Sequence, residues 1–249
     1  MIRRISWVGL AALVLLVALP VAAHAQSVNI NLGGDSGGGS TAARVIQLIL
    51  LMTVLSLAPG ILLMVTSFTR IAVVLSMLRQ AIGTNTTPPN MVILSLSMFL
   101  TFFVMTPTFE RSWNDGINPL INEQITEGEA LERAAKPFHD FMMNNVSEKD
   151  LSLFVDMAKV PQGTEPEALP YQALIPAFMI SELRRAFEIG FLLYLPFIII
   201  DMVVASVLMS MGMMMLPPVM LALPFKLIFF VLIDGWYLIS GSLVQSFQP

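Results

Sequence analysis

The chain has 249 residues, of which 56% are hydrophobic and only 12% charged, against about 25% charged in soluble globular domains. With a formal net charge of −4 and a mean hydropathy of +0.78, this is neither a disordered chain nor a nucleic-acid binder. It has no cysteine, which excludes disulfide scaffolds, thiolate nucleophiles and zinc-thiolate sites. What is left is a membrane protein.

Residues 1–25 read as a cleaved signal peptide. Arg3 and Arg4 give a basic start, Ile5 to Val21 carries no charge, and Ala23-His24-Ala25 supplies the small-residue cleavage site. The alternative is a first membrane helix, because Ile5–Ala23 is near the spanning minimum of about 17 residues. Pro20, a helix breaker before the cleavage site, favours the peptide. Residues 26–44 follow as a Gly/Ser-rich linker. Its Gly34-Asp35-Ser36-Gly37-Gly38 matches the string around the nucleophile of trypsin-like proteases. After cleavage, however, His139 is the only histidine left, and a flexible linker cannot hold a triad together. The string is linker.

The remainder sorts by where charge is absent. Val45–Thr69 and Gln80–Phe109 are uncharged, as are Ile189–Ile200 and Met202–Phe225, which are separated by Asp201 alone. At about 1.5 Å per residue, roughly 20 residues span a bilayer, so hydropathy gives about four helices. They form two hairpins, 45–109 and 171–249. Gly83 to Asn90 turns the first, and Met211-Gly212-Met213-Met214-Met215-Leu216-Pro217-Pro218 turns the second. The expected fold is all-α. Between the hairpins, residues 110–170 carry 12 acids against five Lys/Arg. Helical spacing recurs at Phe138, Phe141, Met142 and at Leu151, Phe154, Val155, the second helix starting at Ser147 with Asp150 three positions on. The first short connection holds Arg70 and Arg79 without an acid, so it should face the cytoplasm and the acidic segment the outside. Arg184 and Arg185 then run against that trend, which suggests that protein rather than lipid surrounds them.

No phosphate-cradling loop or paired-His motif is present, so neither an ATPase nor a metalloprotease is expected, and no metal or cofactor. The costly features are charges in apolar surroundings: Glu182, Arg184, Arg185 and Glu188 at the start of helix three, and Asp201 within it. If Met213/Met214 is the apex of the second hairpin, Asp201 lies 12 or 13 residues before it and Lys226 12 or 13 after. The two are level and can neutralise each other; a proton relay through Asp201 is the alternative. Met209, Met211, Met213, Met214 and Met215 crowd seven residues. They cannot all face one neighbouring helix, because only i, i+3 and i+4 share a face. Flexible thioethers suit a soft seal.

Several of these strings resemble the FliP family of type III export-gate proteins. They are Pro176-Ala177-Phe178-Met179-Ile180-Ser181-Glu182-Leu183, the Met-rich turn, and Leu223-Pro224-Phe225-Lys226-Leu227. Phe68-Thr69-Arg70-Ile71, Leu78-Arg79-Gln80-Ala81, Thr87-Pro88-Pro89-Asn90 and Asp234-Gly235-Trp236 match as well. The resemblance runs from about Val45 to Phe247. It implies a non-enzymatic channel subunit, five copies with FliR and FliQ, in contact with further export-gate proteins and membrane lipid at the bacterial inner membrane. Unfolded flagellar subunits would pass through it. The resemblance also implies that much of the apolar hairpin surface is buried in the assembly rather than in lipid. It places a ring of methionines at the channel constriction, which maps to Met213, Met214 and Met215, with Met209 and Met211 beside them. Glu182 becomes an inter-subunit contact, and Phe141 and Phe154 aromatic contacts of the periplasmic segment. An injectisome homologue lacks a cleaved signal peptide as a rule, which favours the flagellar branch. A proton-coupled transporter, the other class considered, should show internal repeats, and none is evident. If the peptide is cleaved, N-terminal sequencing of the protein from membranes should read Gln26 first; an intact Met1 or Ile2 would refute cleavage.

Overall fold

A computed structural model of the chain describes residues 41–247, apart from Asn85, Gln162, Met214 and Met215. The expected signal peptide and the Gly-Asp-Ser-Gly-Gly string lie outside the described residues. Those described form helices and no strand: α1 (Thr41–Met64), α2 (Phe68–Ile82), α3 (Asn90–Ser112), α4 (Asn118–Ile121), α5 (Glu127–Asn145), α6 (Glu148–Met157), α7 (Tyr171–Ser210), α8 (Pro218–Leu232) and α9 (Gly235–Gln245). The fold is all-α. Asn90–Ile121 and Tyr171–Ser210 are each long and apolar enough to cross a membrane. Two more spans result if Leu48–Met64 with α2, bent by 67°, and α8 with α9, bent by 63°, each count as one.

The core corrects one expectation. The segment carrying Arg70 and Arg79 is a helix, α2, and not a connection exposed to the cytoplasm. Its Ile71, Val74, Leu75, Leu78, Ala81 and Ile82 are buried, and their spacing of three and four makes one continuous stripe. That stripe packs on Ala186 and Phe197 of α7, with Ile93 of α3, Phe230 of α8 and Ile239 and Leu243 of α9 closing around it. The two arginines misled the charge count because Arg70 is itself buried. It therefore carries no topological information under the positive-inside rule.

A second, smaller core joins Val65, Met142, Leu174 and Phe178, with Phe138, Phe141 and Leu151 packed against it. It fastens α5 and α6 to the first half of α7. Helix α5 starts at Thr126, whose Oγ1 accepts from the Glu129 N–H. At α6 the helix begins after Ser147 as the pattern indicates, but the Ser147 side chain does not cap it. Instead the Ser147 N–H donates to Ser181 Oγ at 2.9 Å, so a tertiary contact replaces the local one.

Three glycines are closely approached: Gly235 by the Phe230 ring at the α8–α9 bend, and Gly116 and Gly190 across packed helices. A Cβ on Gly116, in the π-helical turn Trp113–Ile117, would come within 2.7 Å of Ala134 N and Cβ on α5. A Cβ on Gly190 of α7 would come within 2.4 Å of Met77 Sδ on α2. Backbone cannot step aside, whereas the end of a methionine side chain can. Gly116→Ala should therefore destabilise by about 1–3 kcal/mol, typical of overpacking. Gly190→Ala should cost less, because a gain of up to about 1 kcal/mol in helix propensity offsets the shift of Met77. Thermal unfolding of the two variants in mild detergent checks the order; the reverse order would mean that α5 yields more readily than Met77.

Candidate functional site

The most demanding group is Arg70, in the first turn of α2 and fully buried. Its Nε donates to Glu182 Oε2 at 2.9 Å and its Nη2 to Glu182 Oε1, a bidentate pair between α2 and α7. Nη1 donates to the Ser246 carbonyl and to Ser246 Oγ, each at 3.0 Å, just past the end of α9. The guanidinium also lies 3.6 Å from the centroid of the Phe247 ring. Phe141 stacks on Phe247 with centroids 6.1 Å apart and meets Phe178 edge-on at 5.9 Å. One cation thus joins α2, α7 and the chain after α9, and the aromatic contacts bring in α5.

The resemblance puts Glu182 between subunits. The structure encloses it in its own chain instead, because Arg70, 112 residues earlier, takes both carboxylate oxygens. Next to it, Ser181 Oγ donates to Asp150 Oδ2 at 2.9 Å, and Arg184 Nη2 donates to Asp150 Oδ1 at 2.5 Å. Asp150, buried on α6, is therefore the group that holds α6 to α7. Arg184 is partly exposed beyond that bond, whereas Arg185 is half-buried and lines a cavity. Phe154 is half-buried on α6 and is not among the side chains packed around Phe141.

At the far end of α7, Lys226 of α8 donates to Asp201 Oδ2 at 2.6 Å. The hairpin register does bring these two level. Lys226 also donates to the Ala81 carbonyl at 3.3 Å, near the C-terminal end of α2, where a cation suits the helix dipole. The lysine side chain is 5% exposed and the aspartate 30%, so water screens this pair more than the first. Beyond it, Met209, Met211 and Met213 are 56%, 64% and 44% exposed and do not fill their own hairpin. Met214 and Met215 lie outside the described residues.

His139 is buried, with Nε2 3.0 Å from the Leu169 carbonyl and its ring edge-on to Tyr171. Among the described residues no cluster of three or more His, Asp or Glu could hold a metal ion. Sequence reasoning missed Arg70 and Asp150 as the partners of Glu182 and Arg184. The available signal was Arg70 itself, a charge at the head of an apolar stripe, with Glu182 as an acid of opposite sign at the start of another apolar helix.

These features define an all-helical membrane protein whose buried charges are internal ties and whose apolar surface is largely uncovered. Residues 51–243 match the FliP family, and the chain belongs to it. It is 58% identical to the flagellar biosynthetic protein FliP of Caulobacter vibrioides over 248 residues, 99% of this chain and 92% of the relative. To FliP of Agrobacterium fabrum it is 52% identical over 241 residues, 96% and 98% of the two chains. To FliP of Bacillus subtilis it is 50% identical over 213 residues, 86% and 96%.

Breaking a buried pair from one side strands a charge and costs about 3–5 kcal/mol. Arg70→Ala and Glu182→Ala should each lose that much stability, and the double variant should recover part of the loss. The Asp201→Ala and Lys226→Ala cycle should show the same sign with a smaller coupling, given the exposure of Asp201. Thermal unfolding of the single and double variants measures both couplings; additive losses would mean that the partners do not depend on one another.

Proposed function

We propose that this chain is a channel-forming subunit of the flagellar type III protein export gate at the bacterial inner membrane. In this reading several copies, five by family resemblance, assemble with FliR and FliQ, and unfolded flagellar subunits pass through the centre. Membership of the FliP family carries the proposal. The surface supports it: apolar side chains are exposed along α1, α3, α7 and α8, far more than a lone soluble chain tolerates. Lipid and neighbouring subunits together are the natural cover. The flagellar branch is favoured over an injectisome role because the similar proteins named above are flagellar. A proton-coupled transporter is disfavoured by Asp201, the charge it would use, since Lys226 already occupies one of its oxygens.

No catalytic step belongs to this reading, and no cofactor. The chain supplies a passage and its closure. A pore wide enough for an unfolded chain leaks ions unless sealed, and an apolar constriction can seal by dewetting. Methionine has three rotatable bonds and repacks at low cost, so a ring of Met213, Met214 and Met215 from each copy would close on nothing and yield to a passing chain.

The test is a complex purified in mild detergent, with its mass measured first. A multimer containing two other small hydrophobic proteins is expected; a monomer would end the proposal. The triple variant Met213→Ala, Met214→Ala, Met215→Ala should assemble normally and show raised small-ion conductance after reconstitution. An assembled variant as tight as the parent would place the seal elsewhere.

A further inference from the structure

A cavity of about 840 Å³ opens where α3, α5 and α7 meet the end of α9. Phe103, Val104 and Pro107 of α3 form an apolar wall, and Asn144 and Asn145 of α5 form part of the polar one. Two arginines line it, Arg111 from the last turn of α3 and Arg185 from α7. Among the described residues neither guanidinium has a hydrogen-bond or ion-pair partner. The one acid in the lining, Asp140, already has Lys136 at 3.5 Å. Among the described residues the lining therefore carries two guanidiniums to one carboxylate beside an apolar wall, and Arg185 also feels the Glu182 carboxylate behind it.

Its position narrows the class of ligand. Arg111 follows the uncharged stretch 80–109 almost directly, and Arg185 lies just before the uncharged stretch 189–200. Helix α3 enters the acidic segment and α7 leaves it, so both arginines stand at one boundary between apolar helix and charged segment. Exposed Phe99 and Phe103 lead away from the cavity along the apolar side of α3. A carboxylate side chain from a neighbouring subunit could answer the arginines as well, but it would leave most of the volume and the apolar wall unfilled. A phosphodiester offers oxygens to both planar guanidiniums, the geometry that arginine recognises best, and its acyl chains match the phenylalanine track. We propose that this cavity binds the headgroup of an anionic phospholipid, with the phosphate between Arg111 and Arg185 and the acyl chains along Phe103 and Phe99. Basic pockets between membrane helices on the cytoplasmic or matrix side are known to bind anionic headgroups; this one lies at the opposite boundary, beside the acidic segment, and rests on the same charge chemistry. The site does not depend on the channel reading.

The experiment uses the full chain, in its complex where one forms, released into mild detergent with equal amounts of phosphatidylglycerol and phosphatidylethanolamine. Native mass spectrometry should show phosphatidylglycerol retained preferentially. Arg111→Gln with Arg185→Gln should weaken that retention on the order of tenfold per arginine, and the corresponding lysine variants should fall between. Equal retention of both lipids, or phosphatidylglycerol retention unchanged in the double Gln variant, would overturn the site. So would a double variant that binds the lipid normally and fails to assemble, which would give the pocket to a carboxylate of another subunit. Should the Gln variants not fold, phenylglyoxal labelling of the unaltered protein decides the matter. Arg111 and Arg185 should be protected in phosphatidylglycerol vesicles and labelled in phosphatidylethanolamine-rich ones; equal labelling refutes the proposal.

Discussion

A guanidinium enclosed by protein must place its N–H donors, and the placement of Arg70 fixes much of the fold around it. Its partners come from positions 182 and 246, so α2, α7 and the end of α9 have to converge on one point before any donor is satisfied. The convergence explains the sharp bend between α1 and α2. Had α1 continued straight, the first turn of α2 would have pointed elsewhere. The elbow itself, Val65 to Ser67, is buried. Thr66 serves it by donating its hydroxyl to the Leu63 carbonyl and accepting from the Phe68 N–H.

A buried ion pair is poor evidence of stability, because desolvation offsets most of the attraction. Its use here is register. The stripe of α2 is Ile, Val, Leu and Ala, and such a surface can slide along another apolar helix with little change in area buried. A bidentate fork tolerates no such slide. In a chain this apolar, with little polar patterning to exclude alternatives, a few buried charges can set helix position more sharply than packing does.

The legible and illegible parts divide along that line. The breaks before α3 and α8 coincide with clusters of Gly and Pro, and the all-α architecture follows from uncharged stretches of spanning length. Asp201 and Lys226 could be paired because they are equidistant from a recognisable turn, so counting residues sufficed. Arg70 and Glu182 lie 112 residues apart with the acidic segment between them, and no count predicts that separation. The same reason hid Asp150 as the partner of Arg184: Ser147 and Asp150 resemble a local cap, while the tertiary bonds of Ser181 and Arg184 claim those groups instead. Helix α2 was misread because hydropathy alone treats any arginine as a break, although the apolar spacing of 71, 74, 75, 78, 81 and 82 was intact.

The two ion pairs also act on the same helix. Glu182 holds Arg70 in the first turn of α2, and Asp201, through Lys226, reaches the Ala81 carbonyl near its last turn. Both acids belong to α7, 19 residues and hence about 28 Å apart along one helix. The order 70 to 182 and 81 to 201 makes α2 run parallel to α7, and the close approach of Met77 to Gly190 falls between the two ties, as that direction requires. Helix α2 is therefore clamped at both ends by one long neighbour and is apolar along its buried middle. The ties differ in kind. The Arg70 end is closed on itself, with its carboxylate and guanidinium both enclosed. At the Asp201 end one carboxylate oxygen, Oδ1, has no partner among the described residues, and the methionine turn begins only nine or so residues beyond. Any rearrangement of that turn would be felt first at the looser clamp, while the Arg70 end held α2 and α7 together.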